Sequence, residues 1–212
     1  MNHTHKFLSP LFGLGLALTT AALLPPAVTH AGLIMEQTME GSEAPSQTTM
    51  RIQNGMIRTD ISEELSTIAD TKAGEVMTII HPAKMVSVIS QPKGDGVPKI
   101  PNLPTPKYTA TGMTEKVNGY ECNIVKMEMG EMKTTFWVAK TYPDYDKIKA
   151  EMATIKPASG APETPKELDG LILKTSTIGP KYLGVVTIKS VKIEEIPADV
   201  FKAPAGYTVS RQ

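Results

Sequence analysis

From Leu33 onward the chain alternates apolar and polar residues with a period of two, the pattern of strands that bury one face. "LIMEQTME" puts Met35, Gln37 and Met39 on one side. In "TTMRIQNGMIRTDI", Thr48, Met50 and Ile52 are followed by Asn54-Gly55 and then by Ile57, Thr59 and Ile61. Both turn residues tolerate positive φ, so this segment predicts a tight hairpin. "STIAD", "EVMTIIH" and "KMVSVIS" are short, β-branched and turn-bounded, and extend it as an antiparallel meander. Residues 91–107, "QPKGDGVPKIPNLPTPK", carry prolines at 92, 98, 101, 104 and 106 and predict a long extended loop. Strands resume at "YTATGMTEKV", turn at Asn118-Gly119 into "YECNIVKMEM", and return as "MKTTFWVAK".

The period changes once. In "TYPDYDKIKAEMATIK" the apolar residues Tyr145, Ile148, Met152 and Ile155 fall at helical spacing behind Pro143 and Asp144, predicting a helix of about three turns. A second Pro-rich loop is expected at 156–168. "GLILKTSTIG" and "KYLGVVTIKSVKIEEI" predict further strands, and "PADVFKAPAGYTV" a capped turn in which Phe201 anchors the chain end. The sum is a mainly β, α+β domain. It is a single strongly curved antiparallel sheet of about ten or eleven strands, with one buried face and one helix against the concave side.

The beginning of the chain departs from this pattern. Lys6, an apolar run from Phe7 to Leu24 and Thr29-His30-Ala31 have the three-part layout of a secretory signal peptide, with cleavage between Ala31 and Gly32. Pro10, Gly13, Gly15 and Pro25-Pro26 disfavour a retained membrane helix. No cysteine lies near the cleavage point and no second apolar segment follows, so a periplasmic protein without anchor or transmembrane segment is expected. Removing residues 1–31 from the 212 leaves one domain, residues 32–212. The chain has 22 basic and 22 acidic residues, a balance that argues against a nucleic-acid partner.

Composition also limits the chemistry. Cys122 is the only cysteine, so no intramolecular disulfide forms, and of the four histidines only His81 follows the leader. One histidine and one cysteine cannot assemble a histidine-rich metal site, and no cofactor is expected. His81, in "IIHPAKM", reads as a turn residue rather than a catalytic base, so the sequence argues against an enzyme. Cys122 lies within an alternating strand, where a free thiol acts as a small hydrophobe. Met127, Met129 and Met132 are the one weak metal candidate. Thioethers select Cu(I), but methionines at 35, 39, 50, 56, 77 and 85 fit a general use as flexible filler.

"TGMTEKVNGYECNIVKM" resembles the TG-x-T-E-x-I-x-G-Y-x-C core of an exported bacterial family, domain-of-unknown-function family 4412 (DUF4412). "NGMIRTD", "FWVAK", "GLILKTS" and the terminal "VFKAPAGY", with Phe201, Pro204, Gly206 and Tyr207, are similar to its other blocks. That family in turn resembles the LolA/LolB-type half-barrel, an incomplete barrel covered by helix and loop. The resemblance implies an apolar concavity able to hold acyl chains. Those carriers begin with a lid helix, whereas this chain begins with a strand.

The expected function is therefore non-enzymatic binding of a lipid or amphipathic ligand in the concavity. Phe136, Trp137, Tyr145, Ile148 and Met152 are the cavity candidates. The alternatives are a structural or interaction module of the envelope with a filled core, and a methionine-based copper carrier.

Overall fold

The computed structural model describes residues 31–41, 46–90, 104–155, 165–180 and 182–211. The signal-peptide assignment for residues 1–30 and most of the two Pro-rich loops (91–103 and 156–164) lie outside the described residues. The first half of the chain forms β1 (Gly32–Gly41), β2 (Ser46–Gln53), β3 (Met56–Asp60), β4 (Leu65–Asp70), β5 (Glu75–Ile80) and β6 (Met85–Ser90). The second half forms β7 (Lys107–Val117), β8 (Tyr120–Met129), β9 (Met132–Ala139), the helix α1 (Tyr145–Met152), β10 (Leu171–Gly179), β11 (Tyr182–Glu194) and β12 (Thr208–Arg211). All twelve strands join one open sheet in the order β12-β6-β5-β4-β3-β2-β1-β11-β10-β9-β8-β7.

The hairpin turns follow the residue chemistry. Asn54 and Gly55 have φ of 55° and 82°, and Asn118 and Gly119 have 50° and 86°, the positive values that a two-residue turn needs. Curvature is visible at the second of these turns. Asn118 Nδ2 donates to the carbonyl of Ile188 on β11. In a flat sheet β8 and β11 would lie about 14 Å apart, so the β7–β8 tip rolls over the sheet to reach it.

Four features differ from the sequence reading. β12 is a twelfth strand where a capped turn was expected, and it pairs with β6 in parallel, the single parallel pair in an otherwise antiparallel sheet. α1 has eight residues, or about two turns. It stops early because Thr154 Oγ1 donates back to the Glu151 carbonyl and accepts the Gly55 N–H, leaving Ile155 to pack beyond the helix. Lys107 already belongs to β7, and Lys166–Leu168 forms a 3₁₀ turn within what was read as loop.

The fourth difference concerns burial, because the sheet buries parts of both faces. Leu33, Met35, Ile52, Cys122, Trp137, Leu171 and Leu173 form the main core with Ile148 of α1. On the reverse side, Ile68, Ile79, Val86 and Val88 pack under Ile196 and Phe201. Val125 and Val138 pack there too, under Leu168 of the 3₁₀ turn. The chain beyond β11 folds back across the reverse of β3–β6, so Phe201 anchors the end as expected but creates a second core.

Candidate functional site

α1 seals one end of its face of the sheet. The Glu151 carboxylate accepts the Asn54 N–H at 2.7 Å, and the Gly170 N–H donates to Tyr145 Oη at 2.9 Å. Gly170 must be glycine. Its φ is 146°, and a Cβ there would stand 2.7 Å from Val138 Cγ1 and 2.9 Å from the Ala139 carbonyl oxygen. Between these attachments Ile148 is 1% exposed and Tyr145 packs against the core, so this end of the trough is filled by the chain's own side chains.

Among the described residues, the opposite end of the same face is open. The unbroken ladders from β2 to β6 fix its composition. Ile52 pairs with Ile57, Ile57 with Ala69, Ala69 with Val76, and Val76 with Ile89. Further along the strands, Leu65 pairs with Ile80 and Ile80 with Met85. The half-buried floor thus runs out into side chains that face solvent: at that end Ile80 is 43% exposed and Met85 47%, while Ile89, level with the β2–β3 turn, is 49% exposed. Ile178 and Leu183, directly opposite each other on β10 and β11, are also exposed. Ile80 and Met85, directly opposite each other, and Ile178 and Leu183 thus form two exposed apolar pairs on this face.

Beside the sealed core, among residues of β1, β7, β9, β10 and β11, lies a recess of about 400 Å³. Its walls are Trp137, Val117 and Val185 together with Glu40, Glu115 and Lys174. Trp137 is 9% exposed, its Nε1–H donates to Glu115 Oε2 at 2.8 Å, and Lys174 Nζ sits 4.4 Å above its ring centroid. The sequence placed Trp137 among the cavity residues but gave no sign of its charged partners. Glu115 and Lys174 lie on strands far apart in the sequence and look like ordinary solvent-facing positions.

The other candidates are placed as follows. Trp137, Tyr145 and Ile148 join one core, whereas Phe136 faces the reverse side, stacked on Tyr108, and Met152 is 42% exposed. Met129 and Met132 face each other across the β8–β9 turn, and Met127 lies two residues along the same face, between Tyr108 and Thr134 and 9% exposed. Cys122 is fully buried; burial pushes its thiol pKa up, as does the Glu115 charge, while a backbone hydrogen bond at Val117 opposes them.

His81 is not a solvated turn residue. Its Nε2 lies 2.9 Å from Ser66 Oγ and its Nδ1 lies 3.1 Å from Tyr207 Oη. Ser66 Oγ also donates to Asp60 Oδ1 at 2.7 Å, and Asp60 is paired with Arg58 and Arg51. Burial works to raise the Asp60 pKa, but those hydrogen bonds and cationic neighbours outweigh it and hold the carboxyl below its ordinary value. An ionised Asp60 only accepts, so the single Ser66 proton goes to it and His81 must donate to Ser66. A serine nucleophile needs the opposite polarity, with the hydroxyl proton given to the histidine. Ser66 is also 1% exposed. This network is a strut between the reverse face and the C-terminal segment.

Among the described residues no helix is long and apolar enough to cross a membrane. No curated protein matches the sequence. Among solved structures, the chain is similar to an uncharacterised conserved protein of Thermus thermophilus, with 9% identity, 86% of this chain and 91% of the other covered, and a TM-score of 0.55. That similarity supports the fold. Lower scores relate it to the MucA/MucB complex of Pseudomonas aeruginosa (10% identity, 86% and 59% covered, TM-score 0.46) and to a DUF1329 family protein of Desulfovibrio piger (10%, 82% and 90%, 0.36). The family model described as "Domain of unknown function (DUF4412)" matches residues 32–207, and the chain belongs to that family.

Proposed function

We propose that this is an exported, non-enzymatic binding protein of the cell envelope, and that the open end of its α1-bearing face holds the apolar part of an amphipathic ligand. One observation carries the reading. The face that buries the main core continues past half-buried Leu65 onto Ile80 and Met85 with no cover among the described residues, while α1 closes only the other end. Ligand sites favour such concave mouths. Of the sequence candidates, Trp137 is the one we assign to ligand contact, since it forms the wall where the core meets the recess. Tyr145 and Ile148 support the site by filling its closed end. The polarity of the Ser66–His81 pair favours a binding role over hydrolysis.

Export is supported by the leader and by the place where the family match begins. β1 and the family match both begin at Gly32, immediately after the expected cleavage point. Native mass spectrometry of protein purified from its own envelope tests both parts. Co-purified lipid on a chain beginning at Gly32 is expected. An intact Met1 on the functional protein would remove the export assignment. A ligand-free chain that stays ligand-free when offered acyl amphiphiles would favour an interaction module with a filled core.

A further inference from the structure

The recess beside Trp137 contains more charge than an acyl-chain site needs. Lys174 stands on its wall together with Glu40 and Glu115. Among the described residues none of these three makes an ion pair, although opposite charges share one small space. Lys174 is instead parked over the indole, and Glu115 accepts the indole N–H with one carboxylate oxygen, leaving the other free. A charge held over an aromatic face at a partly exposed site gains little, less than a well-placed external anion would offer.

We propose that this recess takes the dipolar head of the amphipathic ligand, an ammonium and a phosphate or carboxylate joined by a short linker. The anion is received by Lys174, and the ammonium by Glu115 and Glu40. The charge balance selects the class. A simple anion would meet two carboxylates, a simple cation would meet the Lys174 ammonium, and a zwitterion satisfies both signs. Stacked ligands such as sugars or bases are disfavoured because Lys174 already covers the exposed face of Trp137. The alternation that brings Lys174 and Ser176 to the recess carries on to exposed Ile178, with Leu183 opposite. A chain attached to the head therefore leaves the recess over apolar surface. This inference rests on the binding function proposed above.

Trp137 is the only tryptophan, so its emission reports occupancy directly. The probes are monomeric dihexanoyl-phosphatidylethanolamine, dihexanoyl-phosphatidylglycerol of equal chain length, free phosphoethanolamine, and decanol. The ethanolamine lipid should saturate the signal and bind at least about tenfold more tightly than the glycerol lipid. Lys174→Met keeps the stem over the ring, and Glu115→Gln keeps an acceptor for Nε1–H. Each should weaken the ethanolamine lipid about tenfold at an unchanged melting temperature. Equal affinity for the two lipids, or unchanged affinity in both variants, would overturn the head-group assignment while leaving the apolar site standing if decanol binds. Free phosphoethanolamine binding as tightly as the lipid, with no response to decanol, would keep the head site and remove the apolar one.

Discussion

The carboxylate of Glu151, on the last turn of α1, accepts the backbone N–H of Asn54 in the β2–β3 turn at 2.7 Å, with Glu151 only 4% exposed. A buried acid at a helix end is costly unless bonded, and here it clamps the helix to a turn held at positive φ. Glu151→Ala should cost about 1.5–3 kcal/mol, because a charge-assisted bond is lost and a turn N–H is left bare. Glu151→Gln, which keeps an acceptor, should cost less. Denaturant melts of the two variants check this, and equal losses would mean that packing rather than the hydrogen bond is at stake.

Asp60 predicts an acid-side loss of stability. Its folded pKa lies below the ordinary 3.8, so protons favour the unfolded chain. Its contribution is complete above about pH 4 and is lost as pH falls through the folded value. Asp60→Asn should lower stability at neutral pH and flatten the decline below that window. A variant whose acid decline matches that of the wild type would remove Asp60 as its source.

Cys122 should resist thiol reagents in the native state. It is fully buried and its thiol is pushed up by its surroundings, so little thiolate is present and none is reachable. Labelling should track global unfolding. Rapid modification of folded protein would show that the β7–β8 tip opens, since Val117 and Asn118 at that tip close over the same core.

What was legible in the sequence was what backbone chemistry dictates locally. The two Asn-Gly turns, the alternating strands and Phe201 as an anchor all follow from residue type and spacing. β12 escaped because it is four exposed residues whose only partner, β6, lies more than a hundred positions away. The second core escaped because a period-two pattern shows which residues share a face, not which later segment covers the other one. The charged recess escaped for a similar reason. Trp137 and Lys174 are cross-strand neighbours on β9 and β10, and Glu115 reaches the indole from β7, two strands away, pairings that no local pattern encodes. Trp137 could be flagged as a lone aromatic, whereas its partners could not.

The central claim is that the uncovered end of the α1-bearing face holds the apolar part of a ligand. Calorimetric titration of decanoic acid into the wild-type protein and into the Ile80→Asp/Met85→Asp double variant tests it most directly. Both side chains are more than two-fifths exposed, so the variant should fold and melt like the wild type. The account predicts saturable micromolar binding, roughly −8 kcal/mol, by the wild-type protein, and a loss of at least about tenfold in the double variant. Equal affinity in the two proteins, or no saturable heat in the wild type, would contradict it.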